Sequence, residues 1–269
     1  MTDELAPLIA AWQDAAADAI ALLKELTPQE WELPTDLPGW NVRYVAAHLA
    51  HLEAELAGFP QEQVEVPEAD HVKGIMGQFT EAGPIARASW TTAAIVDEFE
   101  RAVAVRAADL TTTTKDPDAT ADGFAGLVGW TWRTALSNRA LDLWVHEQDI
   151  RRAIGRPGGL DTAGARHVAG VFAKSFPYVL GKRAGAPIGT TAVLRVTGEQ
   201  PLTLAAGVGP DGRATSIDPP ADPDVTITIG FEDWAVLGAG RRPRSAVDAT
   251  IEGDGALGKR ILDSLAVTP

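Results

Sequence analysis

Leu37-Pro38-Gly39-Trp40-Asn41-Val42-Arg43-Tyr44-Val45-Ala46-Ala47-His48-Leu49 reads as a turn that opens a helix and sets one histidine on its apolar side. Pro38 and Gly39 end a loop, Asn41 is a strong N-cap, and Val42, Val45, Leu49, Leu52 and Leu56 recur at helical spacing. His48 lies between Val45 and Leu52 in that series, on or beside the apolar stripe, where an imidazole needs a polar partner.

Working outward, residues 3–26 predict a first helix, with Leu5, Ile9, Trp12, Ala16, Ile20 and Leu23 on one face. The second helix, opened by the quoted stretch, closes at Gly58-Phe59-Pro60. Residues 61–83 show no clear period and read as a long loop holding one short helical turn, of the kind that covers sites. A third helix is expected from about Pro84 to Leu110, with Glu98, Arg101 and Arg106 on its outer face. A fourth runs from about Gly123 to Ile154 and stops at Gly155-Arg156-Pro157-Gly158-Gly159. Four amphipathic segments predict a four-helix bundle over residues 1–158.

The pattern then changes. After one more helix near 162–181, strands are expected at 191–197, 201–206, 224–229 and 247–251, with helical pieces at 231–237 and 256–265. Residues 159–269 thus read as a smaller α+β domain with a mostly antiparallel sheet, and the whole chain as α+β.

Composition narrows the function classes. Hydrophobic residues at 45% and charged residues at 22% match an ordinary globular protein. Apolar runs fall short of the roughly 18 residues of a membrane span, and acids at the N-terminus stand where a secretory signal carries bases, so a cytoplasmic location is expected. A net charge of -14 argues against nucleic acid or an anionic membrane as partner and favours small molecules. With no cysteine, any metal ligand is His, Asp or Glu, and any thiol the chemistry needs comes from outside the chain.

The fourth helix carries Arg139, Asp142, His146 and Asp149 at offsets of three, four and three, along one face. Asp142 and His146, at i and i+4, can bind one metal ion from adjacent turns, and a bundle brings a third ligand from a facing helix. His48 is the candidate for that corner, leaving a fourth position open. The same spacing also fits a core histidine bonded to a backbone carbonyl beside a surface Asp–His pair. Arg139 and Asp149 suit a catalytic role in orienting a ligand or a substrate carboxylate, and equally suit a helix-face set of ion pairs. His51 points further toward the polar side and reads as solvated, and His71 and His167 read as surface residues, although His71 could fold over a site. Trp130, Trp132 and Trp144 read as core filler. Gly207-Val208-Gly209-Pro210-Asp211-Gly212 has the letters of a dinucleotide fingerprint, but no helix follows to hold a pyrophosphate, and Pro210-Asp211-Gly212 predicts a hairpin turn.

At these residues the chain resembles the mycothiol-dependent maleylpyruvate isomerase family, within the DinB-like metal-binding bundles. Leu37 to Arg43 through Ala47-His48-Leu49 is similar to the family's P-G-W-[TS]-V-R-[DE]-[LV]-x-x-H-[LV] segment, and Arg139 to Asp149 to its R-x-x-[ED]-x-x-x-H-x-x-D helix. Asp224-Val225-Thr226 through Gly240-Arg241 and Glu252-Gly253-Asp254 resemble its C-terminal domain, related to sterol carrier folds. The resemblance implies zinc or a similar divalent ion on His48, Asp142 and His146, with mycothiol as a low-molecular-weight thiol cofactor and a small electrophile as substrate. It departs in two places: Asp142 stands where the isomerase has Glu, and Tyr44 where an acid would complete a capping box with Asn41.

What it implies is isomerisation, by addition of the thiolate to a conjugated cis double bond, rotation and departure, or S-transfer, in which the thiol stays attached. The residues themselves also allow a non-catalytic metal- or ligand-binding protein, or a zinc-dependent hydrolase.

Overall fold

The structure, a computed structural model, describes residues 4–70, 72–112 and 114–268; His71 lies outside them. It divides into two compact units, Met1–His167 and Val168–Pro269, the division falling inside one helix.

The first unit is built on four long helices: α1 (Ala6–Lys24), α2 (Val42–Leu56), α4 (Thr92–Thr112) and α6 (Trp132–Ala153). α1 packs on α6 and α4, and α2 on α4 and α6, which closes the bundle. The α1 face is rich in alanine, with Ala15, Ala16 and Ala19 fully buried around Trp12, and small residues let the helices approach closely. By length and composition α1 is apolar enough to cross a membrane, which corrects the expectation that no segment is. Its apolar face, however, is spent on the bundle core, where Ile9, Trp12, Leu22 and Leu23 are buried.

The turn before α2 forms as its residues predict. Gly39 takes φ 81°, a left-handed conformation that favours glycine. Asn41 caps the helix by accepting from the Tyr44 backbone N–H at 2.9 Å, and Arg43 reaches the Trp90 carbonyl, pinning the turn to the start of α4.

Two boundaries differ from the expected ones. The later part of the supposed loop at 61–83, from residue 74, belongs instead with the beginning of the supposed third helix: α3 (Gly74–Ala86) lies across α2, and a break at residues 87–91 separates it from α4. α3 shows little apolar periodicity because its buried residues are Glu81, Gly83 and Pro84. At Gly83 an added Cβ would stand 2.4 Å from the His51 ring, so the α2–α3 approach depends on glycine there. The fourth predicted helix is likewise two, α5 (Gly123–Leu127) and α6, because Thr131 breaks the run and caps α6 through the Thr134 N–H at 3.3 Å.

Glu98 and Arg106, expected on the outer face of α4, are buried at 5% and 6% exposure. Each is neutralised by a partner outside α4, which spacing along α4 alone does not reveal: Glu98 pairs with Arg87 and Arg106 with Glu53. Arg101 is exposed as expected.

The second unit holds a five-stranded sheet in the order β3-β2-β1-β4-β5. Its strands are β1 (Thr191–Thr197), β2 (Leu202–Val208), β3 (Ala214–Ser216), β4 (Val225–Gly230) and β5 (Ala249–Gly253). Only the β1–β4 pair is parallel; the others are antiparallel. α7 (Ala163–Tyr178) enters this unit and runs on into a π-helical turn at Val179–Arg183, while α8 (Phe231–Gly238) and α9 (Gly255–Asp263) follow β4 and β5. Phe172 of α7 meets Trp234 of α8 edge to face at 5.9 Å in the core. Residues 207–212 form the β2–β3 hairpin turn, closed by the Gly209 N–H to the Arg213 carbonyl at 2.8 Å, and offer no helix to a phosphate.

Candidate metal centre

α2 and α6 bring His48, Asp142 and His146 together. One donor atom from each lies within 4.8 Å of the other two, the sole such His/Asp/Glu group among the described residues. His48 Nε2 stands 3.4 Å from one Asp142 oxygen and His146 Nε2 stands 3.5 Å from the other. The two imidazoles meet edge to face at 4.9 Å.

Four observations bear on whether these side chains fit a metal ion. Both ring nitrogens of His48 are buried without a hydrogen-bond partner, an arrangement that costs free energy unless something else binds there. His146 Nδ1 lies 3.0 Å from Asp149, which as a carboxylate can only accept, so Nδ1 carries a hydrogen and Nε2 is the nitrogen turned toward Asp142. Burial holds the His48 imidazole below its ordinary pKa, against the pull of Asp142, which favours the neutral form a ligand needs. Burial alone would raise Asp142, but the charges of His146 and Arg139 outweigh it and hold the carboxyl well below the usual range. Two imidazoles and one carboxylate form a donor set that fits zinc or a similar divalent ion.

Behind the triad lies a carboxylate that sequence reasoning missed. Glu53, fully buried, receives hydrogen bonds from Trp12 Nε1 at 3.2 Å and from Arg139 Nε and Nη2 at 3.0 and 2.9 Å, together with an ion pair from Arg106. Trp12, Glu53, Arg106 and Arg139 come one each from α1, α2, α4 and α6, so the bundle's four helices meet at one charge. Arg106 also lies over the Trp12 ring at 4.6 Å. Burial works to raise the Glu53 carboxyl, but Arg106 and Arg139 outweigh it and the net shift is downward. The remaining Arg139 nitrogen, Nη1, donates to Asp142 at 2.7 Å.

Arg139 and Asp149, the two residues expected to be catalytic, therefore lie against the triad and orient its members. Their exposures, 4% and 0%, leave neither facing solvent. Asp149 is itself braced by Arg152, which also donates to Asp36 at 2.8 Å.

Trp40, from the turn before α2, covers the same place. Its indole stacks on His146 at 6.1 Å and tilts against His48 at 5.1 Å, and its Nε1 donates to Glu81 of α3 at 2.9 Å. Between α2 and α3, one turn further along, Tyr44, Ala47, Pro84 and Arg87 line a cavity of about 440 Å³. Trp144 is core, as expected, while Trp130 and Trp132 are half-buried and pack on a small alanine cluster at Ala121, Ala125 and Ala135. His167 bonds through Nε2 to the hydroxyl and carbonyl of Ser137 on α6, away from the triad.

His51, expected to be solvated, is 5% exposed because α3 closes over it. Its Nδ1 lies 2.9 Å from Gln61 and 3.3 Å from Arg87, and Phe79 packs on the ring at 5.3 Å. Burial, then the charge of Arg87, lower its pKa from 6.5 to about 4, with Gln61 opposing and His48 and Arg139 adding smaller effects. The unfolded chain thus takes up this proton first as pH falls. Stability from a neutral His51 is complete above about pH 6.5 and is lost progressively toward pH 4, by about 3 kcal/mol in all. In urea unfolding at pH 7 and pH 4.5, His51→Gln is expected to lose less stability on acidification than the parent; equal losses would refute this assignment.

A bundle with a buried His/Asp/His triad, followed by an α+β domain with a five-stranded sheet, is the class that fold and site define. Residues 12–151 match the mycothiol maleylpyruvate isomerase N-terminal domain, and residues 166–260 match the C-terminal domain of the same family. The chain belongs to the mycothiol-dependent maleylpyruvate isomerase family. Among solved structures, a histidine-to-alanine mutant of the mycothiol-dependent maleylpyruvate isomerase shares the fold at 16% identity and TM-score 0.53, over 93% of this chain and 96% of that one. Another crystal structure of that isomerase aligns at 16% identity and TM-score 0.50, over 90% and 93% of the two chains. No curated protein matches the sequence.

Proposed function

We propose that this protein is a divalent-metal enzyme dependent on an external thiol, of the isomerase or S-transferase type, acting on a small electrophile. The observation that carries the reading is His48: buried, with neither ring nitrogen in a hydrogen bond, and facing Asp142, whose other oxygen stands 3.5 Å from His146 Nε2. His48, Asp142 and His146 would hold zinc or a similar ion. When bound, such an ion supplies a Lewis acid that lowers the pKa of an incoming thiol and leaves a thiolate near neutral pH.

The chain's own residues do the rest. Asp149 keeps the His146 hydrogen on Nδ1, and Arg139 holds Asp142 by one oxygen. Burial of both histidines keeps bulk water from competing for the site. No cysteine is present to serve as an internal thiol, and family membership supports mycothiol as the external one.

The test is turnover of maleylpyruvate and a panel of electrophiles, with and without mycothiol, by protein purified without an affinity tag. The expected result is thiol-dependent turnover, lost in His48→Ala. Absence of thiol dependence throughout the panel would refute the reading, and thiol-free cleavage of esters or amides would replace it with metal-dependent hydrolysis.

A further inference from the structure

We infer that Trp40, held in place by Glu81, is the specificity-determining residue of the triad: its indole limits what can reach His48 and His146. The inference rests on the proposed function only in taking the triad as the place where a ligand is met.

Three features carry it. Among the described residues Trp40 is the one ring in contact with both histidines, at 5.1 and 6.1 Å, while those two stand 4.9 Å from each other. It is half-buried where the two imidazoles are 2% and 6% exposed, so the indole stands between the histidines and solvent. Its backbone is held by its own turn, but its indole is tied to another segment. The hydrogen bond from Nε1 at 2.9 Å ends on a carboxylate of α3, 41 residues along the chain, and Glu81 is itself 8% exposed. A hydrogen bond to an ionised acceptor in such a place is stronger than a neutral one and fixes the ring's rotation as well as its position.

The α2–α3 cleft has room for a ligand, and this ring touches one residue of its lining. Tyr44, one helical turn beyond Trp40 and in edge contact with it at 6.2 Å, lines the 440 Å³ cavity, as does Pro84, one turn beyond Glu81. Trp40 thus touches both Tyr44, which lines the cavity, and the two histidines of the triad. A ligand approaching along that cleft meets the indole before it meets His48. Rotation of the ring needs release of only one hydrogen bond, whereas displacement of the helices would break the core.

The experiment measures imidazole accessibility in the metal-free full chain. Diethylpyrocarbonate carbethoxylates neutral, reachable histidine nitrogens, and mass mapping gives a separate rate for each ring. Trp40→Ala is expected to speed modification of His48 and His146 about tenfold, by opening the local cover. Glu81→Ala, which keeps the indole and removes its anchor, is expected to give a smaller increase at the same two rings. His167, bonded to Ser137 elsewhere on α6, is the internal standard and should not change in either variant. Unchanged rates at His48 and His146 in Trp40→Ala would overturn the inference. So would equal acceleration of His167, which would mean general loosening, or no effect of Glu81→Ala. None of these readings depends on thiol chemistry, so a failure of the proposed function leaves the labelling result intact.

Discussion

Glu53→Ala is expected to destabilise the helical unit by about 3–5 kcal/mol, the cost of removing one member of a buried ionic group. The substitution leaves Arg106 and Arg139, at 6% and 4% exposure, without their common counter-charge, and leaves Trp12 Nε1 without its acceptor. Because the four long helices each contribute one side chain to this node, the loss is not confined to one contact. Glu53→Gln retains the shape and one acceptor oxygen, and should fall between the parent and alanine. Urea unfolding followed by circular dichroism provides the measurement. A loss below about 1 kcal/mol for alanine would put Glu53 in the class of exposed ion pairs and refute the description of it as the bundle's central charge.

In the proposed metal site, Asp142→Asn is expected to weaken zinc binding by more than about 100-fold, beyond the 10–100-fold typical of losing an outer partner of a ligand. Asparagine has nearly the same shape but removes the only negative charge in the ligand set. Arg139 keeps its two bonds to Glu53 in this variant, so the fold should persist. Asp149→Asn tests the adjacent layer. It weakens the hold on the His146 Nδ1 hydrogen and should cost about 10–100-fold. Competition with a chromophoric chelator gives both affinities. Zinc affinity in Asp142→Asn equal to that of the parent would remove Asp142 from the site, and with it the case for His48 as a ligand.

The shorter carboxylate at position 142 raised the question of reach. Its two oxygens face His48 and His146 at 3.4 and 3.5 Å, so a three-cornered site closes with aspartate. Arg139 pulls on the same oxygen that faces His48, and Glu53 holds Arg139 by its other two nitrogens. The arginine therefore approaches Asp142 through Nη1 alone, a geometry that leaves the other carboxylate oxygen directed at His146.

Periodicity worked where a residue's partner is on its own helix or where its surroundings are simply apolar. It located α1, α2 and α6 and the alternating strands β1, β4 and β5, since spacing along the chain determines which face a residue occupies. It failed at α3, whose buried residues, Glu81, Gly83 and Pro84, make no apolar rhythm to detect. It failed at β3, where three residues are too few to show alternation. It also misassigned Glu98, Arg106 and His51, because a charged or polar side chain on a helix face looks solvent-facing until a partner arrives from elsewhere. Glu53 offered one faint signal, an acid four residues after Leu49 on the helix that carries His48.

The sequence alone determined the two-part organisation, the capped helix of His48, and the Asp142–His146 pair one turn apart. These are properties of local spacing, and local spacing is written in the order of residues. The tertiary structure decided what that order could not contain: that His48 meets the pair across the bundle, that Glu53 gathers two arginines and a tryptophan from three other helices, and that Glu81 holds Trp40 over the triad. Each of these depends on how helices distant in sequence are rotated and set in depth. Burial strengthens the electrostatics of such contacts, and only packing reveals which charges are buried together.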